Sequence, residues 1–205
     1  MADQSGLRER KKAATKAALS HATMRLAIEK GGIDAVTAED IAAEAGVSAR
    51  TFHNYFPNKE AALLHDFNEI TAQTIVAIRE RAREQPLWEA LRDACIDMRI
   101  DERFDFATLQ CKDDLVHSSP SLISHQATQF LEFFNEALDI VTEATGRDEH
   151  DMYPRLVLGA ALIALKVAHE HWLAHPDEAP LDEVIADAFE QFESGVTRPT
   201  TTSNN

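Results

Sequence analysis

Apolar residues recur every three or four positions through most of the chain, and nowhere do they alternate in twos over a strand length. Between residues 7 and 30, Ala18, Leu19, Ala22 and Leu26 line one stripe, and Gly31-Gly32 stops it. Thr37 then opens a short helix with Asp40 three residues on, a capping-box pattern, and Ile41, Ala42 and Ala45 supply its apolar side. Gly46 suits a left-handed turn and Ser48 is a good N-cap, so a second short helix is expected over 49–55. Pro57 breaks that helix and Asn58 caps the next.

The later segments are longer. Leu63, Leu64, Phe67, Ile70, Ile75 and Ile78 predict one helix over 59–84. Further helices are expected over 86–100, 107–117, 120–145, 151–175 and 181–193, punctuated by Pro86, Pro120, Gly146, Pro176 and Pro180; residues 101–106 read as irregular. The expected fold is all-α with about nine helices.

A hydrophobic fraction of 44 % is enough to bury a core. The net charge of −15 argues at first against a polyanionic partner, but the charge is unevenly spread. Residues 1–60 hold nine Lys/Arg and eight Asp/Glu; the rest hold eleven and twenty-seven. Arg8, Arg10, Lys11, Lys12 and Lys16 make a basic opening, and such asymmetry can orient a protein on DNA. Cys95 and Cys111 match neither a zinc spacing nor a CxxC motif, which fits a reduced compartment. The first sixteen residues are polar and carry no secretory signal, and the longest apolar run, 156–165, is too short to span a bilayer. A cytoplasmic protein without a membrane partner is expected.

The informative stretch is 37–60, TAEDIAAEAGVSARTFHNYFPNKE. Ile41, Ala42, Ala45, Val47 and Phe52 can pack two short helices against the first one, leaving the N-terminal side chains of the second free. That is a helix-turn-helix, whose second helix enters the major groove of double-stranded DNA. The candidate DNA-binding residues are Thr37, Ala38, Glu39, Ser48, Ala49, Arg50, Thr51, His53, Asn54, Tyr55 and Lys59. Arg50 can pair bidentately with guanine, while Thr37, Thr51, Tyr55 and Lys59 suit phosphates, joined by the amides at the helix starts. A helical hairpin with no DNA role has the same local pattern.

Gly32-Ile33, Val36-Thr37, Ile41-Ala42, Ala45-Gly46-Val47-Ser48, Thr51-Phe52, Tyr55-Phe56 and Lys59-Glu60 together resemble the N-terminal signature of the TetR family of transcriptional regulators, over about a third of the chain. The resemblance implies a helix-turn-helix DNA-binding domain over 1–57 and a helical effector-binding and dimerisation domain over 58–196; residues 197–205, rich in Thr, Ser and Asn with Pro199, read as a disordered tail. It also implies a homodimer on a palindromic operator, released by a small-molecule effector. Arg50 stands where many members carry a small residue, often glycine, and His53 and Asn54 where aromatics are common; the operator read should differ accordingly. The Leu/Ala-rich helix ending at Trp172-Leu173 is similar to the dimer helix of an actinobacterial branch, some of whose members answer acyl thioesters. An apolar or acyl-bearing effector follows.

Weaker signals remain. Met98, Phe104, Phe106, Cys111, Phe130, Phe133, Phe134 and Trp172 are candidate effector-lining residues, although plain core packing uses the same types. Segment 156–165 is apolar almost all round, which points to a helix shared between core and dimer interface. His171 and His175 are spaced as metal ligands can be, but with no nearby cysteine or paired glutamate motif they read as solvated, and no metal or cofactor is expected. No GxSxG, GxGxxG or Walker loop is present, so no enzyme is expected. The competing readings are a binding module of the same fold that does not touch DNA, and a small helical enzyme with a histidine metal site.

Overall fold

The computed structural model describes residues 2–100, 114–148 and 150–195. Phe104, Phe106 and Cys111 lie outside the described residues. Among those described there is no strand, and nine α-helices have defined bounds: α1 (Ala2–Glu29), α2 (Ala38–Glu44), α3 (Ala49–Tyr55), α4 (Lys59–Leu63), α5 (His65–Arg81), α6 (Leu87–Ile100), α7 (Pro120–Thr145), α8 (Met152–Ala174) and α9 (Leu181–Ser194). Residues 114–118 are also helical, and a 3-10 turn, Ile33–Ala35, precedes α2.

Two expectations are revised. α1 begins at Ala2, not near residue 7. Its first turns have no apolar stripe to signal them; Arg, Glu, Lys, Gln and Ala extend the helix by intrinsic propensity alone. The helix expected over 59–84 is interrupted at Leu64, whose ψ of 3° closes α4 before α5 begins. Leu63, Leu64 and His65 are all buried, and one straight helix cannot turn three consecutive side chains to one side.

The described chain packs as two compact units, residues 2–71 with 114–132, and residues 72–100 with 133–148 and 150–195. The first is organised around Leu19, Leu26, Ile33, Ile41, Phe52 and Leu63–Leu64, with Leu115, Val116 and Leu122 added from the later segment. In the second, α8 buries Leu158, Ala161, Ala164 and Ala168, and α9 buries Ile185 and Phe189. Trp88 of α6 lies 4.8 Å from the Phe189 ring and donates its indole N–H to the Phe189 carbonyl at 3.3 Å. α8 is 23 residues long and, by length and composition, could cross a membrane, whereas the 156–165 run alone could not.

Candidate nucleic-acid interface

α2 is shaped at both ends by its own sequence. The Thr37 hydroxyl accepts from the Asp40 amide at 3.1 Å, and the Asp40 carboxylate accepts from the Thr37 amide at 3.2 Å, completing the capping box. Gly46 follows with φ +70°, where an L side chain is strained. The turn then delivers Ser48, whose hydroxyl accepts from the Thr51 amide at 3.1 Å and starts α3.

Two ion pairs fasten α2 to α1 and to the residue that follows it. Lys30 meets Asp40 at 2.6 Å, and Arg25 pairs with Glu44. The bond from Lys30, then those from Thr37, hold the Asp40 carboxyl at about 2, well below its ordinary value of 3.8. Such exposed pairs add little stability. They do remove two of the three α2 carboxylates from the field that a phosphate backbone would meet, leaving Glu39, which is exposed.

α3 buries Phe52 completely, with the Phe56 ring 6.0 Å away. Ala49 and Tyr55 are half-buried against the same core, as is Ala38 of α2, so these three shape the surface more than they reach from it. Arg50, His53 and Asn54 are exposed, and their spacing puts them on one face of α3. Arg50 makes no ion pair or hydrogen bond among the described residues. Thr51 is half-buried, its hydroxyl 2.8 Å from that of Ser48. The geometry therefore brings together a solvent face of three side chains that can address base edges, backed by a fixed apolar face.

Lys59 stands elsewhere. Its ammonium donates to the carbonyls of Asp34 at 3.3 Å and Val36 at 3.1 Å. It thus ties the start of α4 to the 3-10 turn beside Thr37, and nothing in the local sequence pairs residues so far apart. An ammonium carries three N–H donors, so one remains for a phosphate. Arg8, Arg10, Lys11 and Lys12 are exposed on α1, with Arg8 and Lys12 on one face; Lys16, next on that face, lies 5.8 Å above the Phe56 ring.

Of the apolar candidates, Met98, Phe130, Phe133, Phe134 and Trp172 lie among the described residues. Phe133 and Phe134 pack against the second core, Met98 and Trp172 are half-buried, and Phe130 is 49 % exposed. Two hollows of the second unit are lined mainly by polar groups, with Glu80, Arg81, Glu84 and Asp97 in one and Asp139, Glu143, Arg147 and Arg155 in the other.

Comparison with known proteins agrees with this geometry. A family model for bacterial regulatory proteins of the tetR family matches residues 19–65, and one described as the MftR C-terminal domain matches residues 85–197. A Mycobacterium tuberculosis protein, MftR, whose name assigns it to transcriptional regulation of mycofactocin biosynthesis, is 24 % identical over 189 residues, covering 92 % of this chain and 94 % of that one. FadR of Bacillus halodurans, described as a fatty acid degradation regulator, superposes with a TM-score of 0.61 at 19 % identity, over 90 % of this chain and 97 % of that one. FadR of Bacillus subtilis, determined in complex with stearoyl-CoA, superposes with a TM-score of 0.56 at 22 % identity, over 86 % and 97 %. At these identities the structural likeness establishes the fold.

Proposed function

Because the chain belongs to the TetR family of bacterial transcriptional regulators, we propose that it is a ligand-responsive repressor that binds a palindromic operator as a homodimer and leaves it when a small molecule binds. Residues 1–57 form the DNA-reading domain and residues 58–196 the effector and dimer domain. The observation that carries the reading is the solvent face of α3: Arg50, His53 and Asn54 side by side on a helix whose other face is pinned by Phe52. Arg50 reads a guanine, Asn54 suits an adenine, and Thr37, Thr51, Tyr55 and Lys59 meet the backbone. The protein acts in the cytoplasm and catalyses nothing.

Dimerisation is supported by α8. Met152, Leu156, Ile163 and Val167 are exposed by half or more and fall on one face, with Gly159 and Ala160 between them. That stripe lies opposite the buried Leu158, Ala161, Ala164 and Ala168, and a second copy can cover it in an isologous contact. The effector is apolar or acyl-bearing, a reading supported by the apolar C-terminal helices and by the acyl-CoA held by the FadR of Bacillus subtilis. A ligand that favours one arrangement of the two DNA-reading heads must weaken DNA binding reciprocally.

The test is a binding titration on an inverted repeat from the flank of its own gene, against a scrambled duplex. Arg50→Ala should cost about 1–3 kcal/mol on the operator and little on the scrambled duplex. Equal losses on both would make Arg50 a backbone contact. No loss on either would remove α3 from the interface and favour a binding module that does not read DNA.

A further inference from the structure

His171 lies in the last turn of α8, His175 caps that helix one turn on, and Glu178 lies in the turn leading towards α9. The two imidazole rings stack with centroids 4.6 Å apart and planes 29° apart. Glu178 is folded back by its own amide, which donates to the His175 carbonyl at 3.2 Å. This places the Glu178 carboxylate 3.6 Å from Nε2 of His171. One ligand atom from each residue lies within 4.8 Å of the other two, and all three side chains are exposed.

We propose that His171, His175 and Glu178 form a surface site for a divalent transition-metal ion of the zinc or nickel class. Two imidazoles and a carboxylate are a donor set such ions prefer. Nδ1 of His175 lies 3.1 Å from the His171 carbonyl oxygen. A carbonyl can only accept, so Nδ1 carries the proton and Nε2 presents its lone pair. Metal-binding imidazoles are usually fixed in this way, through the nitrogen that does not bind. Ligand atoms around a tetrahedral ion sit roughly 3.4 Å apart, so closing the trio takes small rotations of solvent-exposed side chains. The carbonyl end of α8 adds negative potential beside the ion. Water completes the coordination.

Bound metal joins the last turn of α8 to the loop before α9, so it stabilises that connection independently of DNA reading. The experiment is isothermal titration of the full-length chain with zinc and with nickel chloride, paired with thermal melting with and without each ion. Wild type should bind one ion at this site and melt higher with it. Glu178→Gln should bind at least about tenfold more weakly, and His171→Ala/His175→Ala should lose the site and the melting shift. All three positions are exposed, so circular dichroism of the variants should match wild type. Undiminished binding in the double variant, or no binding by wild type, leaves the trio an ordinary ion pair beside a stacked histidine and overturns the proposal.

Discussion

Replacing Lys59 by alanine separates two roles that one ammonium can fill. Its bonds to the Asp34 and Val36 carbonyls hold the turn from which α2 starts. A hydrogen bond to a charged group is worth about 1.5–3 kcal/mol where it is sheltered. Lys59 is only half-buried, so the two bonds together should contribute about 1–2 kcal/mol after solvent screening. For a chain of this size each kcal/mol moves the melting temperature by about 2–4 °C, which predicts a fall of about 2–8 °C. The remaining N–H is assigned to a phosphate. Losing one phosphate contact per protomer should flatten the dependence of log K on log salt by about 0.9 per contact, or about 1.8 for a dimer, and weaken operator and scrambled duplexes alike. Melting by circular dichroism and anisotropy titrations at several salt concentrations measure the two effects separately. A lower melting temperature with an unchanged salt slope would make Lys59 a clamp only, and the phosphate assignment would be wrong. A changed slope with unchanged melting would mean the two carbonyl bonds contribute nothing.

Three further outcomes are expected. Gly46→Ala should destabilise the chain by about 1–2 kcal/mol, from backbone strain at φ +70° alone, because an added Cβ meets nothing within 4 Å; a neutral or stabilising effect by chemical denaturation contradicts this. Leu156→Glu with Ile163→Glu should convert a dimer to the 22.8 kDa monomer in sedimentation without loss of helicity, since both side chains are half exposed or more within one chain; a variant that still sediments as a dimer removes α8 from the interface. The Asp40 carboxyl, held at about 2 by Lys30 and Thr37, titrates below its unfolded value of 3.8, so its stabilisation is complete above about pH 3.8 and disappears as the pH falls through about 2; an NMR midpoint near 3.8 for the folded protein shows that the pair with Lys30 does not form in solution.

The helix-turn-helix was legible because its signals are local. Thr37 with Asp40, Gly46, Ser48 and Asn58 each act on residues two to four positions away, and each is found capping or turning as its type predicts. Pro120 and Gly146 bound α7 for the same reason. What was not legible depends on residues far apart in sequence. Lys59 reaches back to Asp34 and Val36, Arg25 to Glu44, and Lys16 to the ring of Phe56. The role of the aromatic candidates was not legible either, because a phenylalanine on an amphipathic helix has the same spacing whether it packs a core, as Phe133 and Phe134 do, or is half exposed, as Phe130 is. Glu178 escaped notice as a partner of His171 because Pro176 and the turn after it separate the two, and only the folded turn brings the carboxylate back.

α8 shows how one apolar segment can carry two surfaces. In sequence, 156–165 reads as apolar almost all round, which by itself implies burial on most sides. Within one chain only one side is buried, and the residues there are small: Ala161, Ala164 and Ala168 beside a single Leu158. Small residues let α9 approach closely, and α9 answers with the larger Ile185 and Phe189. The opposite side carries the larger aliphatics Leu156, Ile163 and Val167. A lipid-facing helix has no reason to segregate small from large residues this way, nor to carry Arg155, Lys166 and Glu170 along its length. Lys166 and Glu170 pair with each other on the exposed surface. The same distribution that makes α8 long and apolar enough for a bilayer is the one expected if, as proposed above, a second copy of the chain covers its outward stripe.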